Sequence, residues 1–254
     1  MPVQVLGKQQ IRKPESLFST RSRLADCLTL GQAQNSSDVK RILLFGDSNT
    51  WGFIPVTAKR YPRDVRWSGV LAKELGTGYE VIEEGLTCRT ADIDDSSCGV
   101  GGVGVNGAAY LPAAITSHAP LDLVVIMLGT NDTRLDFGRT AKNIADSLIK
   151  LADMTVSSTD VYRNYPPPKV LLVSPVPLGK ISTNFAQFFD ANSVSKSKDL
   201  AGILEPLAKA GKYAFFDAAT LVSAADGSDG VHLSAETHAK LGKGFVAPVV
   251  NALK

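Results

Sequence analysis

From Lys40 onward the chain alternates short apolar runs with stretches whose apolar residues recur at helical spacing, and this alternation is its strongest constraint on fold. Residues 41–45 (RILLF), 121–128 (LDLVVIML) and 169–174 (KVLLVS) are near-continuous apolar runs, as expected of strands buried on both faces. Residues 79–82 and 214–217 (AFFD) complete a set of five strands. Helices are predicted over 67–75, 108–118 (entered or kinked around Pro112), 140–152, 195–210 and 235–253. In the third of these, Ala141, Ile144, Ala145, Leu148, Ile149 and Ala152 form one apolar face. Strands separated by helices require crossover connections and a sheet covered on both sides. The expected fold is therefore α/β: a three-layer α/β/α domain with a five-stranded, mostly parallel, flavodoxin-like sheet. No internal repeat or Gly/Ser/Pro linker divides residues 41–254, which are read as one catalytic-sized domain behind an N-terminal extension, residues 1–40.

Composition narrows the function. The 254 residues carry 27 basic and 25 acidic side chains, a net charge of +2, too small a field to gather nucleic acid. The longest apolar run is far too short to span a bilayer, so no membrane partner is expected. Six basic groups against three acidic ones place the positive balance in residues 1–40. That segment lacks the apolar core of a secretory signal, which points to a cytoplasmic protein, with a faint transit-peptide character in its Arg/Ser content. Cys27, Cys88 and Cys98 are odd in number and sparse, so no disulfide framework is expected.

Ligands of open α/β sheets bind beyond the carboxyl ends of the strands. Four polar segments meet that description: Gly46-Asp47-Ser48 after the first strand, the segment 83–88 after the second, Gly129-Thr130-Asn131-Asp132 after the third, and 226–232 after the fifth. A serine nucleophile needs a base, because its hydroxyl is hardly ionised at neutral pH. Of three histidines, His118 reads as a helix-end capping or surface residue and His238 as lying on a face of the last helix. His232 lies in the polar segment, three residues after Asp229, close enough for a carboxylate to orient the imidazole. Asn131, the Ser48 N–H and a backbone N–H from the 85–88 loop are candidate donors to a developing oxyanion.

These residues resemble the four ordered blocks of the SGNH (GDSL-like) hydrolase superfamily, and the stretches GDSNTWG, DVRWSGVLAKELG, YEVIEEGLTCRTADIDD and FFDAA resemble its arylesterase/acyltransferase branch. The resemblance implies Ser48 as nucleophile, His232 as general base, Asp229 as its orienting acid, and Ser48, Cys88 and Asn131 as the oxyanion hole. It implies a serine esterase for short-chain aryl or alkyl carboxylic esters, with acyl transfer to alcohols or peroxide as a further outcome. A carbohydrate acetyl esterase on the same fold is the alternative. The substrates are a small-molecule ester and a water or alcohol acceptor, no organic cofactor or metal is required, and a homo-oligomer is expected.

Two features depart from the superfamily pattern. Cys88 stands where most members have glycine and Glu83 where most have asparagine. Only the backbone N–H of Cys88 is needed, but its side chain adds bulk beside the acyl group, which predicts short acyl chains. Cys88, with Arg89 beside it, is also a rival nucleophile. Asp47, Trp51, Phe53 and Trp67, with Ile54, are candidates for lining the substrate pocket. The glycines at 99, 101, 102 and 104 fit G-x-G-x-x-G but follow a polar loop rather than a strand, so a surface loop near the site is expected instead of a nucleotide cradle. Asp92, Asp94 and Asp95 lack calcium-loop spacing and read as a solvated acidic turn.

Overall fold

The computed structural model describes residues 39–157 and 165–254. The expected extension therefore falls almost wholly on residues outside the described ones. Residues Val39–Lys254 form one compact unit.

The main sheet contains β1 (Lys40–Gly46), β4 (Tyr79–Gly85), β5 (Leu123–Met127), β6 (Lys169–Ser174) and β7 (Ala214–Asp217). Their spatial order is β4-β1-β5-β6-β7, and all four pairings are parallel. Counting only these five strands, this is the flavodoxin-like order, with its switch point between β1 and β5. A two-stranded hairpin of β2 (Phe53–Ile54) and β3 (Lys59–Arg60) was not foreseen. Two-residue strands carry too little periodicity to be read from sequence.

Alternate residues of the strands feed two cores. Leu43, Phe45, Val124 and Ile126 pack with apolar residues of α3 (Gly107–His118), α4 (Ala141–Ser157) and α5 (Ala191–Ala210). Ile42, Leu44, Leu123 and Val125 pack on the other face with α2 (Trp67–Leu75), α6 (Ala235–Gly244) and α7 (Val246–Ala252). The last two were expected as one helix. Pro248 cannot donate to the carbonyl of Gly244 and its ring crowds that carbonyl, so the chain breaks at Phe245. Phe245 turns fully inward, with its ring 4.8 Å from that of Trp67 and 5.2 Å from that of Phe216.

Strand β4 runs three residues beyond its expected end, through Glu83, Glu84 and Gly85. Two glutamates argue against a strand from propensity alone. Here each is satisfied by a side chain from another element. Glu83 accepts from Arg66 Nε at 3.0 Å and from Ser68 Oγ at 2.6 Å. Glu84 meets His118 Nε2 at 2.8 Å, which gives His118 a partner rather than a purely surface role.

Trp67, expected in the substrate pocket, is instead a fully buried core residue at the start of α2. Its backbone N–H donates to Nδ1 of His238 at 3.2 Å, tying α2 to α6. His238 is likewise fully buried, and burial pulls its pKa down to about 4. The unfolded chain binds a proton there near pH 6.5, so stability from the neutral ring is present above that pH and is lost as pH falls towards 4. His238→Gln, whose side-chain oxygen can accept from Trp67, removes this loss. Denaturant unfolding of both proteins at pH 7 and pH 4 should show the variant gaining on the parent by about 3 kcal/mol at the acid end. An unchanged difference would refute the assignment.

Candidate active site

At the carboxyl end of β1 the chain turns into α1, a single turn over Ser48–Trp51. Asp47 caps it by accepting from Asn49 N–H at 2.8 Å. The turn fits tightly. A Cβ on Gly46 would lie 2.1 Å from Thr50 Oγ1, and one on Gly85 would lie 2.3 Å from the Trp51 nitrogen. Both positions require glycine, and they face each other as register partners of β1 and β4. Asn49 Nδ2 donates to the Val231 carbonyl at 3.2 Å, joining α1 to the segment that carries His232.

That segment is held by its own carboxylate. Asp229 Oδ1 accepts from the backbone N–H groups of Val231 and His232 at 2.9 and 2.8 Å, leaving Oδ2 for His232 Nδ1 at 2.7 Å. The other ring nitrogen, Nε2, lies 2.9 Å from Ser48 Oγ. Burial opposes ionisation of Asp229, but the hydrogen bonds from the His232 ring and backbone and from Val231 outweigh it. They hold its carboxyl below the ordinary value. An ionised acceptor on Nδ1 fixes the tautomer and leaves Nε2 free to take a proton from the serine.

Block two approaches from β4. Leu86 N–H donates to the Gly46 carbonyl at 3.1 Å, and Cys88 takes a left-handed conformation, φ 64°. Among the described residues the N–H groups of Ser48 and Cys88 meet no protein acceptor. Asn131, in a short 3-10 turn after β5, gives one amide hydrogen to the Arg89 carbonyl at 3.0 Å. Its second amide hydrogen is left for a ligand. Ser48, Cys88 and Asn131 all line one cavity of about 280 Å³, with His232 beside them. A hydroxyl, an imidazole within hydrogen-bond reach of it and unpaired N–H donors thus face one open space, a layout that can serve acyl transfer.

Sequence comparison agrees with the geometry. A family model described as the GDSL-like lipase/acylhydrolase family matches residues 44–240. The chain belongs to that family. It is therefore a carboxylic ester hydrolase. Among solved structures, it is 44% identical to a carbohydrate acetylesterase from Sinorhizobium meliloti, with a TM-score of 0.78 over 84% of this chain and 99% of that one. It is 43% identical to the aryl esterase of M. smegmatis, with a TM-score of 0.79 over 84% and 100%. A second carbohydrate acetylesterase family member from Sinorhizobium meliloti is 36% identical, with a TM-score of 0.78 over 85% and 99%. No curated protein matches the chain.

The pocket of this GDSL-like hydrolase differs from the expected one. Of the expected lining residues, only Phe53 reaches the cavity, its ring 4.3 Å from the His232 imidazole. Asp47 is buried under the turn it caps, where burial pushes its carboxyl up. Trp51 lies outside the cavity, against Phe53 at 6.4 Å and under the Arg60 guanidinium at 5.3 Å. The apolar wall comes instead from Phe185, Phe188 and Phe189, in the irregular segment between β6 and α5. Three phenylalanines within five residues of an aperiodic stretch after a strand end were the available signal. Thr87, Ser97, Cys98 and Arg134 also line the cavity, Arg134 with its guanidinium over the Phe188 ring at 5.1 Å.

Two further expectations are corrected. Cys88 and Cys98 are joined by a disulfide, Cα atoms 6.3 Å apart, so Cys88 in this form has no thiolate with which to rival Ser48. A count of cysteines could not show that the loop carrying Cys98 folds back on block two. Of the acidic stretch only Asp94 is exposed as expected. Asp95 pairs with Arg134 at 2.8 Å, and Asp92 with Arg139 at 2.8 Å, all largely buried. The glycine-rich stretch is a loop of turns, with Gly99, Gly101, Gly102 and Gly104 at positive φ.

Asp132, fully buried beside Asn131, accepts from Ala91 N–H with both oxygens, at 3.0 and 3.1 Å, and pairs with Arg139 at 3.1 Å. Burial pushes its pKa up to about 6, so a charge is kept there only by these partners. It ties block two to block three. Asp132→Ala strands the buried Ala91 N–H and leaves Arg139 only its Asp92 partner, and should cost about 2 kcal/mol in denaturant unfolding. A loss below about 1 kcal/mol would show that the link is not needed.

Proposed function

We propose that Ser48 Oγ attacks the carbonyl carbon of the ester while His232 Nε2 takes its proton. Asp229 orients the imidazole and stabilises the imidazolium. The tetrahedral oxyanion receives hydrogen bonds from the Ser48 and Cys88 N–H groups and the Asn131 amide. His232 then protonates the departing alcohol, leaving an acyl-enzyme on Ser48. Water, activated by the same imidazole, resolves it. The single observation that carries this reading is the hydrogen-bonded run Asp229–His232–Ser48, at 2.7 and 2.9 Å, on the wall of the cavity.

The substrates we propose are short-chain aryl and alkyl esters. A cavity of about 280 Å³ is at the small end for ligand sites, and its phenylalanine wall suits an aromatic or alkyl group better than a polyol. The same wall beside His232 disfavours water, which supports transfer of the acyl group to an alcohol or peroxide as a side outcome. A second reading, deacetylation of a carbohydrate, is favoured by the 44% identity to the Sinorhizobium meliloti carbohydrate acetylesterase.

Steady-state kinetics on p-nitrophenyl acetate should show Asp229→Asn losing about 10⁴-fold in kcat. Asn131→Ala should lose about 10²- to 10³-fold. Activity within threefold of the parent in either variant would overturn the assignment. Comparison of kcat/KM for aryl acetates and for acetylated sugars decides between the two readings, and the aryl esters should win by at least tenfold.

A further inference from the structure

We propose that the Cys88–Cys98 disulfide is a thiol-responsive wall of the acyl pocket, setting which acyl lengths the enzyme accepts. The inference rests on the reading of Ser48, Cys88 and Asn131 given above. In that reading Cys88 contributes the oxyanion donor of block two, and Cys98 belongs to a loop that lines the same cavity. The bond between them thus joins part of the catalytic apparatus to part of the specificity wall.

Apart from that bond the loop is held at its two ends and by turn hydrogen bonds of its own, such as Gly102 N–H to the Cys98 carbonyl at 2.9 Å, with Arg89 Nε donating to the Gly104 carbonyl at 3.2 Å. Its start is fastened by Asp95, which pairs with Arg134 at 2.8 Å and accepts from Ser97 N–H at 3.0 Å. Its end is fastened where Thr90 N–H donates to the Val105 carbonyl at 3.0 Å. Between these points lie four glycines at positive φ, and Val100 and Val103 are 86% and 77% exposed. Such a segment contributes little apolar burial and has much backbone freedom to lose, so a covalent tie at Cys98, where the glycine-rich span leaves its Asp95 anchor, limits how far it can move from block two. With the bond closed, Cys98 is kept against Cys88 and the pocket is short. With it open, the glycine-rich span is free to draw back and the pocket lengthens past Ser97 and Cys98.

The switching step is ordinary thiol–disulfide exchange. A thiolate of a dithiol attacks Cys98 Sγ, the Cys88–Cys98 bond breaks, and Cys88 leaves as a thiolate that takes up a proton. The second thiol of the reagent displaces Cys98, which is likewise protonated, and the reagent closes its own disulfide. Two electrons and two protons pass to the protein. A low-molecular-weight disulfide such as oxidised glutathione reverses the exchange.

The test uses the full chain after incubation with oxidised glutathione, the same protein after dithiothreitol, and Cys98→Ser. Thiol titration of the denatured, unreduced protein should find at most one free thiol of three in the first form and three in the second. The ratio of kcat/KM for p-nitrophenyl octanoate to that for p-nitrophenyl acetate should rise about tenfold on reduction. Cys98→Ser should show the raised ratio and ignore dithiothreitol. Three free thiols after oxidised glutathione, or a ratio that stays constant once the bond is gone, would overturn the proposal. Labelling of Ser48 by a fluorophosphonate reports the catalytic reading separately. A protein that turns over both esters with Ser48 unlabelled sinks that reading, while the ratio still judges the wall.

Discussion

Gly46 and Gly85 face each other at the carboxyl ends of β1 and β4, and the first turn after β1 is packed directly on them. A side chain at either position would occupy the space of Thr50 or Trp51 and push α1 off the sheet. The position of Ser48 depends on that close approach. Once α1 is seated, Asn49 reaches the Val231 carbonyl and brings in the segment on which Asp229 and His232 are already arranged by local hydrogen bonds. The proposed catalytic geometry is thus assembled from two hydrogen-bonded local turns and one contact between them.

Around this centre several buried charges are paired before any substrate arrives. Arg89, almost fully buried, donates to the carbonyls of Gly46, Glu84 and Gly104 and lies against the rings of Phe45 and Tyr110. Asp132 and Arg139 tie block two to block three, and Asp95 and Arg134 hold the glycine-rich loop at the cavity. Fixed dipoles that need not reorient are what an oxyanion requires as it forms. The cost is a set of buried charges that stabilise the fold only as pairs.

Much of this was legible in the residues. The five strands and their order of appearance follow from runs such as RILLF and KVLLVS, because a strand buried on both faces has to be apolar throughout. Ser48, Asp229, His232 and Asn131 could be placed at one edge because each follows a strand end in an α/β pattern. The extension of β4 through two glutamates was not legible, since it depends on Arg66, Ser68 and His118 arriving from elsewhere. The break at Phe245 could have been read from Pro248, whose missing N–H interrupts the helix.

The sequence by itself determined the layer order, the strand-end residues that can do acyl chemistry, and the family, because these rest on local periodicity and on residues a few positions apart. Tertiary structure decided what surrounds the reacting atoms. It sent Trp67 to the core and Asp47 beneath a turn, brought Phe185, Phe188 and Phe189 to the cavity, and joined Cys88 to Cys98. Those contacts link segments whose separation in sequence carries no signal, and they form only when loops with no periodicity of their own fold back on a common sheet edge.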